Sequence, residues 1–119
     1  MKLLHSFFHA GRGIKYCFSK EQNFRIHILV MVAAIAAGVY FSISTTEWIF
    51  VIVCCTMMLA MEMLNTALER MCDLITEDIH PLIKCIKDVS AGAVLICAAG
   101  STVTGLLIFI PKIIQQLTK

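Results

Sequence analysis

The chain has 119 residues, 59% hydrophobic and 15% charged, and its ten basic and eight acidic side chains leave a net charge of +2. A soluble domain this small exposes more surface than it buries and needs about a quarter of its residues charged, so composition excludes an ordinary soluble domain, a two-domain enzyme and a disordered tail. So weak a positive charge, with no basic run interleaved with aromatics, also excludes nucleic acid as a partner. What remains is a small, all-helical integral membrane protein.

Residues 3–26 read as a surface region before the first span, with a helix over Leu3 to Phe18. At 100° per residue, Lys2, His5, His9, Arg12 and Lys20 fall on one side, and Leu3, Phe7, Ile14, Cys17 and Phe18 fall opposite. A basic amphipathic helix of this kind suits the cytoplasmic membrane surface, as a plain anchor or as part of a site. Gly11 and Gly13 weaken it and mark the place for a kink or break. No small-residue cleavage site follows a short apolar run, so no cleavable signal is expected.

Residues 28–46 and 89–111 carry no formal charge, and each is long enough to cross ~30 Å of hydrocarbon as a helix. The middle apolar run, Trp48 to Met61, has fourteen residues between Glu47 and Glu62. As a helix it reaches only ~21 Å, so the span continues through Glu62 and is assigned to residues 48–66, with Trp48 as an interfacial anchor. Residues 74–86 form the one long loop, with Pro81 as its breaker. Lys and Arg cluster before the first span and in this loop. The positive-inside rule therefore puts the N-terminus and the loop in the cytoplasm and the C-terminus outside, although Lys112 and Lys119 dissent.

The chemistry concentrates after residue 61. Glu62, Asn65, Glu69 and Asp73 are spaced by 3, 4 and 4, which on an unbroken helix puts them within about 40° of one another. They would form one stripe ~16 Å long running from the bilayer into water. Carboxylates so spaced repel one another, and an acid inside a membrane needs a partner or a cavity. Arg70 points about 100° away from Glu69. A divalent cation would serve the stripe better, and hard oxygen ligands point to Mg²⁺. A polar seam that fixes oligomer register, or an ion or proton pathway, would use the same residues. Lys84, Lys87 and Asp88 open the third span, a charge pattern that suits phosphate plus metal or plain snorkelling at a membrane edge. The six cysteines lack zinc spacing and are expected as buried thiols. Small residues in the first and third spans favour close helix packing, and three short spans cannot wall off a site, so a homo-oligomer is expected.

These motifs resemble a known family. Glu62-x-x-Asn65-Thr-Ala-Leu-Glu69-x-x-x-Asp73, His80-Pro81 and Lys87-Asp88-x-x-Ala91-Gly-Ala-Val-Leu95 look like the bacterial integral-membrane diacylglycerol kinases. Ser6-Phe-x-His-Ala-Gly-Arg-Gly13, Glu21-x-Asn23-Phe-Arg25-x-His27 and Gly105-Leu-Leu-Ile-Phe-Ile-Pro111-Lys112 extend the likeness over nearly the whole chain. The resemblance implies a homotrimer of three-span subunits that transfers the γ-phosphoryl of MgATP to a lipid hydroxyl at the cytoplasmic face of the bacterial cell membrane. By resemblance, Glu62 is the catalytic base and Glu21 and Glu69 hold the metal and nucleotide. Lys87, Asp88, Asp78 and His80 contact the nucleotide, and Asn65, Asp73, Arg25 and Ala91 support the site or the substrate. The branch typical of Gram-positive bacteria, which prefers undecaprenol, matches best. The diacylglycerol-preferring branch usually has an acid where His27 stands. A small ion-coupled transporter using Glu62 is the alternative of another class.

Overall fold

The computed structural model describes all residues, Met1 to Lys119, as four helices: α1 (Lys2–Lys20), α2 (Gln22–Tyr40), α3 (Thr45–Ile75) and α4 (Pro81–Leu117). The last three are long and apolar enough to cross a membrane. They pack with α3 in the middle, flanked by α4 and α2, while α1 touches α2 and α3 at one end. The assembly measures 59 × 42 × 21 Å, about two helix diameters thick.

The helix expected over Leu3 to Phe18 is present, without the kink or break for which its glycines left room. α1 is continuous through Gly11 and Gly13, because a cost of ~1 kcal/mol per glycine does not interrupt a 19-residue helix. Gly13 also faces α3, where a side chain would meet Met63. The break falls at Glu21, whose extended backbone is the sole residue between α1 and α2. Arg25 explains the position: its guanidinium donates to the carbonyls of Phe18 and Ser19 at 2.9 and 3.2 Å, satisfying groups that the end of α1 leaves free. Residues 22–26 therefore belong to the first spanning helix, not to the surface stretch.

The loop is also shorter than expected. α3 runs on to Ile75 and α4 starts at Pro81, leaving only five residues, Thr76 to His80, instead of residues 74–86. Pro81 opens a helix rather than interrupting one, since at the first helical position its missing N–H is no loss. His80 caps that helix, its Nδ1 accepting from the Leu82 amide at 3.2 Å. At the other end α4 passes through Pro111 to Leu117. Lys112 reaches Glu47 at 3.2 Å and Gln116 donates to the Tyr40 hydroxyl at 2.7 Å, and these tertiary contacts carry the helix past its proline.

The turn between α2 and α3 closes tightly. Ile43 N–H bonds the Gly38 carbonyl and Ser42 N–H bonds that of Val39, while Ser42 takes a left-handed conformation with φ of 51°. This is a Schellman ending with serine where glycine is usual. Ser44 then caps α3: its hydroxyl accepts from the Glu47 amide and the Glu47 carboxylate accepts from the Ser44 amide. Trp48 lies over Gly38, whose missing side chain would meet the indole at 2.7 Å. Ile43, Val51 and Ile108 form the buried core beside it. Only ten of 119 residues are buried in the single chain, and Leu95, Ile96 and Leu107 on α4 are among many large apolar side chains left open, a surface suited to lipid or further protein rather than water.

Candidate functional site

Because α3 is unbroken from Thr45 to Ile75, Glu62, Asn65, Glu69 and Asp73 do fall on one face. Burial is graded along that face. Glu62 is only 3% exposed, Asn65 and Glu69 are half-buried, and the Asp73 side chain is 46% exposed. A carboxylate this buried is costly without a partner. The ionisable side chain within ion-pairing distance is His27 of α2, with its Nε2 3.9 Å from Glu62 Oε2.

Further along, Asn65 is fixed from both ends. Its amide faces Glu69 Oε1 at 3.5 Å and its oxygen accepts from the Ser90 hydroxyl of α4 at 2.8 Å. Lys87 of α4 donates to Asp73 Oδ1 at 2.6 Å, linking the two ends of the five-residue loop. Glu21 comes to the same neighbourhood through Arg70, which donates to Glu21 Oε1 at 2.8 Å and lies 3.9 Å from Asp73 Oδ2. The expected residues thus fall into three contacting sets along one face: Glu62 with His27, Asn65 with Glu69 and Ser90, and Glu21 with Arg70, Asp73 and Lys87.

The other expected residues are placed differently. Asp88 pairs with Lys84 at 2.7 Å, one turn back on its own helix, and is exposed. Asp78 is exposed in the loop, where its amide donates to the Thr76 hydroxyl, and His80 is engaged as the cap of α4. Arg25 holds the α1–α2 corner, and Ala91 is exposed on α4. Sequence reasoning left out three contributors. Arg70 reaches across to Glu21 as well as along its own helix to Asp73, Ser90 braces Asn65, and His27 faces Glu62 from 35 positions earlier in the chain. The only sequence signal for His27 is its place in the Glu21-to-His27 motif.

Cys17 is buried beside the same carboxylates. Burial, reinforced by Glu21 and Glu62, pushes its thiol above the ordinary range, which keeps it protonated and inert. All six cysteines are free. No three His, Cys, Asp or Glu side chains converge tightly enough to hold a metal ion by themselves. The donors present are hard oxygens on Glu69, Asn65 and Glu21. Such a set fits Mg²⁺, which takes one or two protein carboxylates and completes its shell with water and substrate phosphates.

Behind His27 an apolar hollow of about 540 Å³ opens between α2, α3 and α4. His27 stands in the wall of this hollow and 3.9 Å from the buried Glu62, while Arg70 and Lys87 are ion-paired at the open end of the face.

Residues 8–109 match the family model for prokaryotic diacylglycerol kinase. An undecaprenol kinase of Bacillus subtilis (strain 168) is 42% identical over 112 residues, covering 94% of this chain and 91% of that protein. A diacylglycerol kinase of Synechocystis sp. is 34% identical over 114 residues, 95% of this chain and 65% of that protein. One from Pseudomonas aeruginosa is 29% identical over 103 residues, 87% and 84% of the two chains.

Proposed function

The chain belongs to the prokaryotic diacylglycerol kinase family, and on that premise we propose that it is an ATP-dependent lipid kinase whose substrate is undecaprenol. The 42% identity to an undecaprenol kinase over nearly the full length of both proteins favours that alcohol over diacylglycerol. The observation that carries the chemistry is Glu62, a sealed carboxylate on the same helical face as Asn65, Glu69 and Asp73. Phosphoryl transfer needs positioning and charge neutralisation more than covalent chemistry, and this face offers both.

In this reading Glu62 takes the proton of the lipid hydroxyl as general base. Glu69, with Asn65 and Glu21, would hold Mg²⁺, whose charge would offset that of the nucleotide phosphates. Lys87 and Arg70 are already ion-paired with Asp73 and Glu21, so nucleotide phosphate replaces one acidic partner with another and no bare cation waits in the membrane edge. The α1 end faces the cytoplasm, α1 lies along the membrane surface as an amphipathic helix, and the C-terminus is outside. Three copies assemble, which covers apolar helix surface that one chain leaves open.

The test is transfer of label from γ-³²P-ATP to lipid by the purified protein in detergent, with undecaprenol and diacylglycerol compared side by side. The expected result is labelled lipid with both and faster turnover with undecaprenol. Faster turnover with diacylglycerol reverses the substrate assignment, and no labelled lipid with either sinks the kinase reading.

A further inference from the structure

Glu21 is one of the carboxylates proposed for the metal, yet its charge is already matched. It stands at the N-cap of α2 without its side chain capping that helix. The carboxylate turns across to α3 instead and accepts from Arg70 Nη2 at 2.8 Å. Glu69, next to Arg70 in the chain, faces the neutral Asn65 amide at 3.5 Å. Of the two carboxylates, one is open and the other is covered by a cation.

The second observation is the guanidinium itself. Its Nη1 lies 3.9 Å from Asp73 Oδ2, beyond hydrogen-bond distance, and the Tyr16 side chain of α1 stands beside it. The Arg70 side chain is 53% exposed, against 19% for Glu21. Arg70 therefore has donors to spare, an open approach, and a neutral neighbour that stays when the carboxylate leaves. A planar guanidinium so placed can grip phosphate oxygens in pairs.

We propose that Arg70 is a phosphate-binding residue held in reserve by Glu21, and that this ion pair opens to a metal and a phosphate arriving together. This rests on the kinase reading and adds how its site discriminates the metal–nucleotide complex from either part. Glu21 cannot turn to a cation without leaving the guanidinium unpaired. Arg70 cannot turn to a phosphate without leaving the carboxylate unpaired. When both arrive as one complex, each side chain exchanges one opposite charge for another. The pair thus couples the two ligands, each raising the affinity of the other. Because Arg70 is half in water, the coupling belongs at the low end of the usual range, about fivefold.

The experiment measures two affinities in the full-length protein, using Mn²⁺ as a spectroscopic probe because it takes the same hard oxygen ligands as Mg²⁺. Arg70→Gln uncovers Glu21, so Mn²⁺ without nucleotide, read by electron paramagnetic resonance, should bind about fivefold tighter than to the wild type. The Mg²⁺ complex of a non-hydrolysable ATP analogue, read by calorimetry at saturating Mg²⁺, should bind about tenfold weaker. A damaged fold weakens both, so opposite signs are the signature. Arg70→Lys keeps the charge without the fork, and should hold Mn²⁺ within about twofold of the wild type while losing about threefold in nucleotide affinity. Mn²⁺ affinity unchanged or lowered in Arg70→Gln overturns the guarding of Glu21. Unchanged nucleotide affinity overturns the phosphate contact.

A measurement on the unaltered protein covers the case in which both variants misfold. Phenylglyoxal modifies accessible guanidinium groups, and the site modified can be read by peptide mass spectrometry. The Mg²⁺ complex of the analogue should slow modification of Arg70 severalfold and leave the exposed Arg12 unchanged, whereas Mg²⁺ alone should not protect Arg70. Arg70 modified at one rate with and without the complex overturns the proposal. A wild type that neither binds the complex nor labels any lipid alcohol removes the kinase reading itself. An active wild type whose Arg70 variants bind both ligands unchanged removes only this proposal.

Discussion

The two ends of α3 use polar groups in opposite ways. At the turn end, Ser44 and Glu47 satisfy each other within three residues, and Glu47 adds Lys112 as its one distant partner. Around them Trp48, Gly38 and Ile43 pack without room for another methyl group. At the α1 end the contacts cross between segments far apart in sequence: Glu21 to Arg70, Asp73 to Lys87, Asn65 to Ser90, Glu62 to His27. Local capping closes a turn and leaves nothing available. Cross-helix pairs leave each charged group with a partner that an incoming ligand can replace. In the proposed reading stability concentrates at one end of the rod and chemistry at the other.

The sharpest way to break this division is Glu62→Gln, a nearly isosteric change at the chemical end. Turnover should fall by about 10²–10⁴, the usual worth of a general base, while nucleotide binding and thermal midpoint stay put. Normal turnover would remove Glu62 as the base. A large fall in the midpoint would mean that the buried carboxylate serves stability after all. Glu69→Gln should act more mildly, raising the KM for MgATP by about tenfold, with partial recovery at high Mg²⁺. A fall in kcat alone, insensitive to Mg²⁺, would take Glu69 out of the metal's shell. The smallest effect belongs to the turn end. Ser44→Ala removes the cap of α3 and should cost about 1 kcal/mol in detergent unfolding, with specific activity of the folded protein unchanged. Loss of activity there would show that the two ends are coupled.

Three apolar spans and the spacing of Glu62, Asn65, Glu69 and Asp73 were legible in the sequence because both are periodic, and period is what a helix writes into a chain. The departures share a different cause. Gly11 and Gly13 left room for a kink within the expected helix, but the chain turns at Glu21, where Arg25 reaches back to the carbonyls of Phe18 and Ser19. Pro81 looked like the middle of a loop and is instead the first residue of α4. Pro111 looked like an end and is passed through because Lys112 and Gln116 are held by the α2–α3 turn. In each case a contact between distant residues outweighed a local preference. The same holds within the site. Lys87 was grouped with its neighbour Asp88, yet it bonds Asp73 across the loop while Asp88 turns to Lys84. His27 carries no periodic signal toward Glu62, and only the packing of α2 on α3 brings it there.

The continuity of α3 has one more consequence. With no glycine, proline or bulge between Glu62 and Asp73, the two carboxylates are fixed at opposite ends of a rigid ruler ~16 Å long, and Glu69 is marked on it ~10 Å from Glu62. If Glu62 is the base and Glu69 the metal ligand, as proposed, such a ruler measures depth: a hydroxyl that floats higher or lower in the bilayer would miss the mark however well its tail binds, and the helix would select acceptors by where their oxygen rides as much as by what is attached to it.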